Sequence, residues 1–483
     1  MSGTKSYFFC GIGGSGMLPL AAIVRGQGAE VSGSDRALDQ GRTAAKFDYL
    51  RGQGIDLYPQ DGSGPRPGQI LVASAAVEES VPDVQAARRL GLERITRAEL
   101  LSRLFNAAET GIAVGGTSGK STVTGMIAWI LHRAGLEPTV MNGAVMKNFA
   151  TPDAPFASAL VGEDRVFVSE VDESDGSIAL YRPKVAVLNN VSLDHKSMEE
   201  LRALFGGFLG RAGTAVVNLD DPETRALAET IPPERRITFS FEDPSADLYS
   251  PAIEEGSGFT RFAVIPKGDG SNARLATVRL WGAHNARNGL AALAAATAAG
   301  LGLDAAIDGL AGFEGLRRRF EIVGESNGVT VIDDFGHNPD KIAATLQAAL
   351  SHLQGRLLLF FQPHGYGPLR AMRRELVAAF AQGMAGDDVL ILCDPVYYGG
   401  TVERTVTSAD IVDDVVAAGR NAEHIADRAE AGTRLAALAR PGDRILIMGA
   451  RDDPLSQFAA EVLDCLPIED GEGDQAKPGG GVT

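Results

Sequence analysis

The residue types best suited to chemistry gather at Gly116-Thr117-Ser118-Gly119-Lys120-Ser121-Thr122, directly after the apolar run 111–115. A strand that stops at glycines and opens a helix makes a phosphate cradle. The glycines let backbone N–H groups converge on an anion at the helix N-terminus, Lys120 adds a point charge, and Ser121 can hold Mg²⁺. Val114 stands where the strict G-x₄-GK[ST] pattern has its first glycine, which leaves the shorter form Gly116-x-x-Gly119-Lys120-Ser121. ATP with Mg²⁺ is the expected occupant. Carboxylates follow the apolar run 166–169, as Glu170-Val171-Asp172-Glu173-Ser174-Asp175, and Asn189-Asn190 with Asp194-His195 follow the run 185–188. A second glycine turn, Gly11-Ile12-Gly13-Gly14-Ser15-Gly16, follows the run 7–10, and Asp35 ends a later strand. A glycine turn with an acid able to meet a ribose suits NAD or a UDP-sugar equally.

The elements that must position these residues read as α/β. Strands at 7–10, 70–73 (closing at Ser74), 111–115, 166–169, 185–188 and 216–219 alternate with helical stretches at 17–26, 97–105 and 123–133. Residues 236–281 alternate apolar and polar with Gly, Pro and Asn breaks, which predicts antiparallel strands. An Ala-rich helix is expected over 284–300, and Asn285 within it could serve as a cap. The pattern then resets, with strands at 329–332, 357–361, 389–392 and 445–448. Three domains are expected: a Rossmann-like domain over 1–106, a P-loop ATP domain over 107–320 and a second Rossmann-like domain over 321–466. The Gly/Pro/acid-rich residues 467–483 are expected to be a disordered tail.

The bulk properties narrow the function classes. A net charge of −17 repels phosphate backbones and anionic membranes, which argues against nucleic-acid or lipid binding as a main role. Three cysteines, far apart in sequence, provide neither a disulfide framework nor metal-type spacing. No apolar run is long enough to span a bilayer and no N-terminal signal is visible, so a cytoplasmic protein without membrane insertion is expected.

The order of motifs resembles the Mur ligase family over about residues 6 to 465. The matching pieces are the two glycine turns, Asp172-Glu173-Ser174-Asp175, Asn189-Asn190…Asp194-His195 and His284-Asn285-Ala286-Arg287-Asn288. They continue with Arg318-Arg319-Phe320, Asp333-Asp334-Phe335-Gly336-His337-Asn338-Pro339 and Phe361-Gln362-Pro363-His364. The resemblance implies an ATP-dependent ligase in which 1–106 binds the UDP-substrate, 107–320 ATP and 321–466 the amino acid. ATP phosphorylates the carboxylate of UDP-N-acetylmuramate, and an amino acid, most simply L-alanine, attacks the acyl phosphate to give an amide in peptidoglycan precursor synthesis. A recycling ligase that adds a tripeptide, or a divergent ligase with another acceptor, is the alternative within the family. Lys120 would then meet the β/γ-phosphates, and Ser121 with Glu173 would hold Mg²⁺. Glu170 is an equally good chemical ligand, and Glu173 is preferred only on motif alignment. The resemblance further implies a second Mg²⁺ at His195, ATP contacts from Asn285 and Asn288, a phosphate contact from Arg319 and a ribose contact from Asp334. Lys120, Glu173, His195 and Arg319 would form the catalytic set. Substrate contacts are expected at Gly13, Gly14, Ser15, Gly16, Asp35, Ser74, His337 and His364, in a monomer or homodimer.

Departures from the family pattern fall on the acceptor side. Ser118 stands where alanine-adding relatives carry His, Gly365 and Pro368 where Arg is usual, and Asn338 where a second His is usual; Arg370 is the surviving basic position. No lysine lies around Leu209-Gly210-Arg211, where some family members carry a carbamylated one, and the alanine-adding branch lacks it too.

Overall fold

The structure is a computed structural model that describes residues 4–75, 77–193, 196–256, 258–269, 272–396, 403–450 and 454–467. The chain divides into two compact units, Met1–Leu316 and Arg317–Thr483, and its described residues form three sheet-containing α/β domains.

The first sheet of unit one is parallel throughout, in the order Asp56–Tyr58, Glu30–Ser34, Ser6–Cys10, Ile70–Ala73, Glu93–Thr96. Strand order reverses beside Ser6–Cys10, the switch point where open α/β sheets bind ligands. Phe8 and Phe9 are fully buried on opposite faces, as expected for a strand covered by helices on both sides. The helix after the glycine turn spans Met17–Gly26.

The second sheet of unit one has a parallel centre, ordered Arg236–Ser240, Thr214–Asn218, Val185–Leu188, Thr110–Gly115, Glu163–Glu170, Pro138–Met141. Ala113 points to one apolar cluster while Ile112 and Val114 point to the other, the period of two that a doubly covered strand requires. On the second face, helix Lys120–Arg133 packs against helix Ala283–Ala298. Residues Ala291, Ala292, Ala294, Ala295 and Ala296 are fully buried, and their small side chains let the backbones approach closely. Two expectations change. Helix Lys120–Arg133 starts at the lysine itself, because Gly119 at φ +83° serves as its N-cap. Within 236–281, Arg236–Ser240 and Leu248–Tyr249 join the sheet in parallel, and the antiparallel pairing is confined to Leu248–Tyr249, Ile253–Gly256, Phe259–Pro266 and Arg274–Val278.

The two sheets of unit one share apolar core. Phe105, from helix Arg97–Ala107, meets Phe167 and Tyr181 edge-on with ring centroids 5.7 and 5.1 Å apart. The Asn106 amide donates to Leu180 O at 2.9 Å and accepts from Arg182 N–H at 2.8 Å.

Unit two is a sheet ordered Glu321–Ser326, Val329–Asp334, Arg444–Gly449, Leu357–Gln362, Val389–Leu392, Asn421–His424. Only the first pair is antiparallel. Leu357, Leu358, Leu359 and Phe360 are fully buried, matching a strand enclosed on both faces. Among the described residues no helix is long and apolar enough to cross a membrane.

Candidate active site

Parallel register sets which residues share an edge. Leu188 pairs with Gly115 and Glu170 with Val114, so the phosphate loop, the acid run after Val168 and the Asn189-Asn190 pair all leave the sheet at one end. Lys120 Nζ donates to Gly116 O at 2.7 Å and forms an ion pair with Glu173 at 3.1 Å, where the Glu173 side chain is only 6% exposed. Ser121 Oγ donates to Glu170 Oε2 at 2.7 Å. The two acids therefore divide the Lys-Ser pair: Glu173 faces the ammonium and Glu170 the hydroxyl.

The loop is built around glycine. A Cβ on Gly119 would lie 2.6 Å from Asn288 Oδ1 and 2.8 Å from Asn189 Nδ2, in addition to the positive φ. Asn288 and Asn285 share one face of their helix, linked by a 3.3 Å amide–amide bond. The helix N-cap is Gly282, so Asn285 is not the cap; its amide instead donates to Trp281 O at 2.7 Å. Asn189 Nδ2 donates to Asn288 Oδ1 at 3.0 Å, while Asn189 Oδ1 is buried without a partner among the described residues. A buried unsatisfied acceptor beside a glycine-lined cradle is costly unless a ligand or water meets it. Thr122 lies in the helix's first turn, whose N–H groups have no intrahelical acceptor. Asp194 and His195 lie outside the described residues.

At the switch point of the first sheet, Cys10 aligns with both Ser34 and Ala73, which puts the Gly11–Gly16 turn, Asp35 and Ser74 on one edge. Asp35 is already engaged. One carboxylate oxygen accepts Gly13 N–H at 2.8 Å and the other caps helix Arg36–Asp39 through Ala37 N–H at 2.8 Å. Gly14 and Ser15 are exposed. A Cβ on Gly16 would come within 3.0 Å of Arg97, which pairs with Asp175 at 3.9 Å. Sequence reading missed Asp83, which is fully buried and accepts from the Ser34 hydroxyl and, at 2.9 Å, from Gly62 N–H; burial pushes its carboxyl above the usual range. A lone Asp at the start of a helix carries no signal of such a partner.

In unit two, Asp334 accepts three local bonds: from Phe320 N–H at 2.8 Å, Gly336 N–H at 2.7 Å and the Thr345 hydroxyl at 2.9 Å. Arg318 and Phe320 hold positive φ of 58° and 50°, a strained backbone for non-glycine residues that is fixed by Asp334 and by Phe335 N–H donating to Arg318 O at 2.9 Å. Between them Arg319 lies with its guanidinium 4.7 Å from the Phe335 ring centroid. Arg318, over the same ring at 5.3 Å, also pairs with buried Asp333, 3.4 Å away, whose carboxyl burial pushes up to about 6. His337 stacks edge-on to His364 at 5.1 Å, and burial pushes its imidazole down to about 4. Asn338 caps helix Pro339–Leu350 through Lys341 N–H at 2.9 Å, which accounts for Asn at this position.

Three family descriptions match consecutive parts of the chain: "Mur ligase family, catalytic domain" over residues 6–109, "Mur ligase middle domain" over 114–296 and "Mur ligase, glutamate ligase domain" over 318–451. The chain is 34% identical over 478 residues to a UDP-N-acetylmuramate–L-alanine ligase of Agrobacterium fabrum, covering 95% of this chain and 96% of that one. It is 36% identical to the ligase of the same name from Sorangium cellulosum, covering 92% and 93%. Among solved structures, the UDP-N-acetylmuramate-alanine ligase of Thermotoga maritima superposes with a TM-score of 0.75 at 23% identity, covering 95% of this chain and 98% of that one. A murein peptide ligase from Psychrobacter arcticus superposes with a TM-score of 0.70 at 23% identity, with the same coverage. These last two likenesses establish the fold. The chain belongs to the Mur ligase family.

Proposed function

We propose that this ligase joins L-alanine to the carboxylate of UDP-N-acetylmuramate at the expense of ATP, through an acyl phosphate, in peptidoglycan precursor synthesis. The observation that carries the reading is the phosphate loop with its two acids, Lys120 on Glu173 and Ser121 on Glu170, in a chain similar along most of its length to ligases of that name. The donors fit Mg²⁺ and a nucleotide triphosphate. A hydroxyl and a carboxylate at 2.7 Å are oxygen ligands for a hard cation, and Mg²⁺ commonly takes one or two protein ligands with water and phosphate filling the rest. When bound, Mg²⁺ neutralises charge on the transferred phosphoryl group.

Each residue then has a task. Lys120 supplies a fixed cation to the β/γ-phosphates, and Glu173 holds it in place. Ser121, with Glu173 or Glu170, carries the metal, and His195 serves a second one. Gly116, Thr117, Ser118, Gly119 and Thr122 shape the cradle, while Asn285 and Asn288 face the nucleotide. Arg319 contacts phosphate, Asp334 orients the ribose side, and His337 and His364 line the acceptor region. His337, held neutral at physiological pH, can accept a hydrogen bond without adding charge. Gly13, Gly14, Ser15, Gly16, Asp35 and Ser74 meet the UDP-sugar. The protein works in the cytoplasm, as a monomer or homodimer.

The test is phosphate release from ATP in the presence of UDP-N-acetylmuramate and single amino acids. Release dependent on L-alanine supports the reading. Release dependent only on the tripeptide moves the chain to the recycling reaction, a possibility that Gly365 and Pro368 raise by replacing the usual arginines.

A further inference from the structure

The first half of the phosphate loop turns its polar groups away from the cradle. Thr117 N–H donates to Asn190 O at 3.1 Å, and Ser118 N–H donates to Asn190 Oδ1 at 2.8 Å. The same Asn190 amide donates from Nδ2 to Ser118 O at 3.1 Å, so one side chain grips both sides of one residue's backbone. Asn189 Nδ2 adds a 3.4 Å contact to Ser118 O. One residue further, Thr117 Oγ1 donates to Ser192 O at 3.1 Å and accepts from Ser192 N–H at 2.9 Å. Segments 116–118 and 189–192 are thus laced together as a strand pair would be, with a side chain at one end of five of the six bonds. The amides left to face a phosphate are those from Gly119 onward, the open first turn of helix Lys120–Arg133.

We propose that Asn190 is a positioning residue. It fixes the Ser118 backbone so that the helix's first turn alone forms the anion cradle, and it ties the cradle to segment 189–192. Ordering the loop in advance spares nucleotide binding that entropic cost. The proposal rests on the phosphate-loop reading, and the two fail separately: Lys120→Ala tests the loop, Asn190 variants test the clamp.

The first experiment is amide hydrogen exchange on the full-length protein without ligand. Ser118 should exchange slowly in the wild type and at least tenfold faster in Asn190→Ala, while Thr117, held by the main-chain oxygen of Asn190, changes less. Equal protection in both overturns the clamp whatever the protein's activity. The second is steady-state kinetics. Asn190→Ala should raise KM for ATP at least tenfold, with UDP-N-acetylmuramate affinity unchanged. Asn190→Asp keeps the acceptor for Ser118 N–H and loses the donor, so its KM should fall between the two. A KM for ATP within twofold of wild type in both variants overturns the proposal, as does an equal loss of ATP and UDP-sugar binding in Asn190→Asp.

Discussion

Gly119→Ala is the most direct perturbation of the cradle. Its φ of +83° costs an L-residue about 1–2 kcal/mol. The new Cβ would stand 2.6 Å from Asn288 Oδ1 and 2.8 Å from Asn189 Nδ2, closer than any real contact. Neither amide can swing out, because Asn288 is 5% exposed and Asn189 also 5%. Parting them forfeits their 3.0 Å bond, a further net loss of about 1 kcal/mol. The total is roughly 2–3 kcal/mol. In a unit this large each kcal/mol lowers the melting temperature by about 2 °C, so the ligand-free protein should melt roughly 4–6 °C lower. If part of the strain is relieved by moving the helix's first turn, ATP affinity should fall by about tenfold or more, since 1.4 kcal/mol is a factor of ten. Thermal melting with and without ATP, together with KM for ATP, reads both effects. A variant that melts normally and keeps its KM for ATP within about twofold would refute the argument, because nothing else in the structure could absorb the added atom.

Other outcomes are equally definite. Lys120→Ala should abolish turnover while the protein still melts cooperatively, as seen by assay and calorimetry; full activity would remove the phosphate-loop assignment. Glu170→Gln and Glu173→Gln should each raise the Mg²⁺ concentration needed for half-maximal rate, and the larger shift identifies the direct ligand. If neither moves, Ser121 does not hold the metal with these acids. His337, held neutral by burial, should titrate by NMR near pH 4, where a midpoint near 6.5 would contradict its placement. The sign for stability follows. The unfolded chain takes up the His337 proton first, so stability falls as pH drops from 6.5 towards 4. Buried Asp333 acts oppositely: its folded pKa is raised from 3.8 to about 6, so its contribution is lost as pH rises through that window. Asp333→Asn should therefore uncover the His337 slope, and His337→Gln the Asp333 slope, in denaturant melts at pH 4 to 6.5.

Much of this was legible beforehand because parallel α/β sheets write their sites at strand ends. The runs before Gly11, Gly116, Glu170 and Asn189 are apolar, short and closed by chemistry-bearing residues, and each became a buried strand with those residues on one edge. What stayed hidden depends on partners far apart in sequence. Nothing local says that Asn190 will hold Ser118, that Glu170 and Glu173 will divide Ser121 and Lys120, or that Asp83 will be buried under Ser34. The parallel pairing of Arg236–Ser240 was equally illegible, since alternation reports a half-covered face and carries no strand direction.

The core that Phe105 shares with Phe167 and Tyr181 bears on how such a chain can be recombined. A graft that replaced only the first sheet with that of a relative would cut through a packed aromatic cluster and the Asn106 bonds, and would have to bring matching residues at 167 and 181. A graft joined between Leu316 and Arg317 instead leaves each compact unit with its own core. The two sheets of unit one, with the residues at their strand ends, are therefore inherited together, while the segment carrying Asn338 and Gly365 is free to be exchanged.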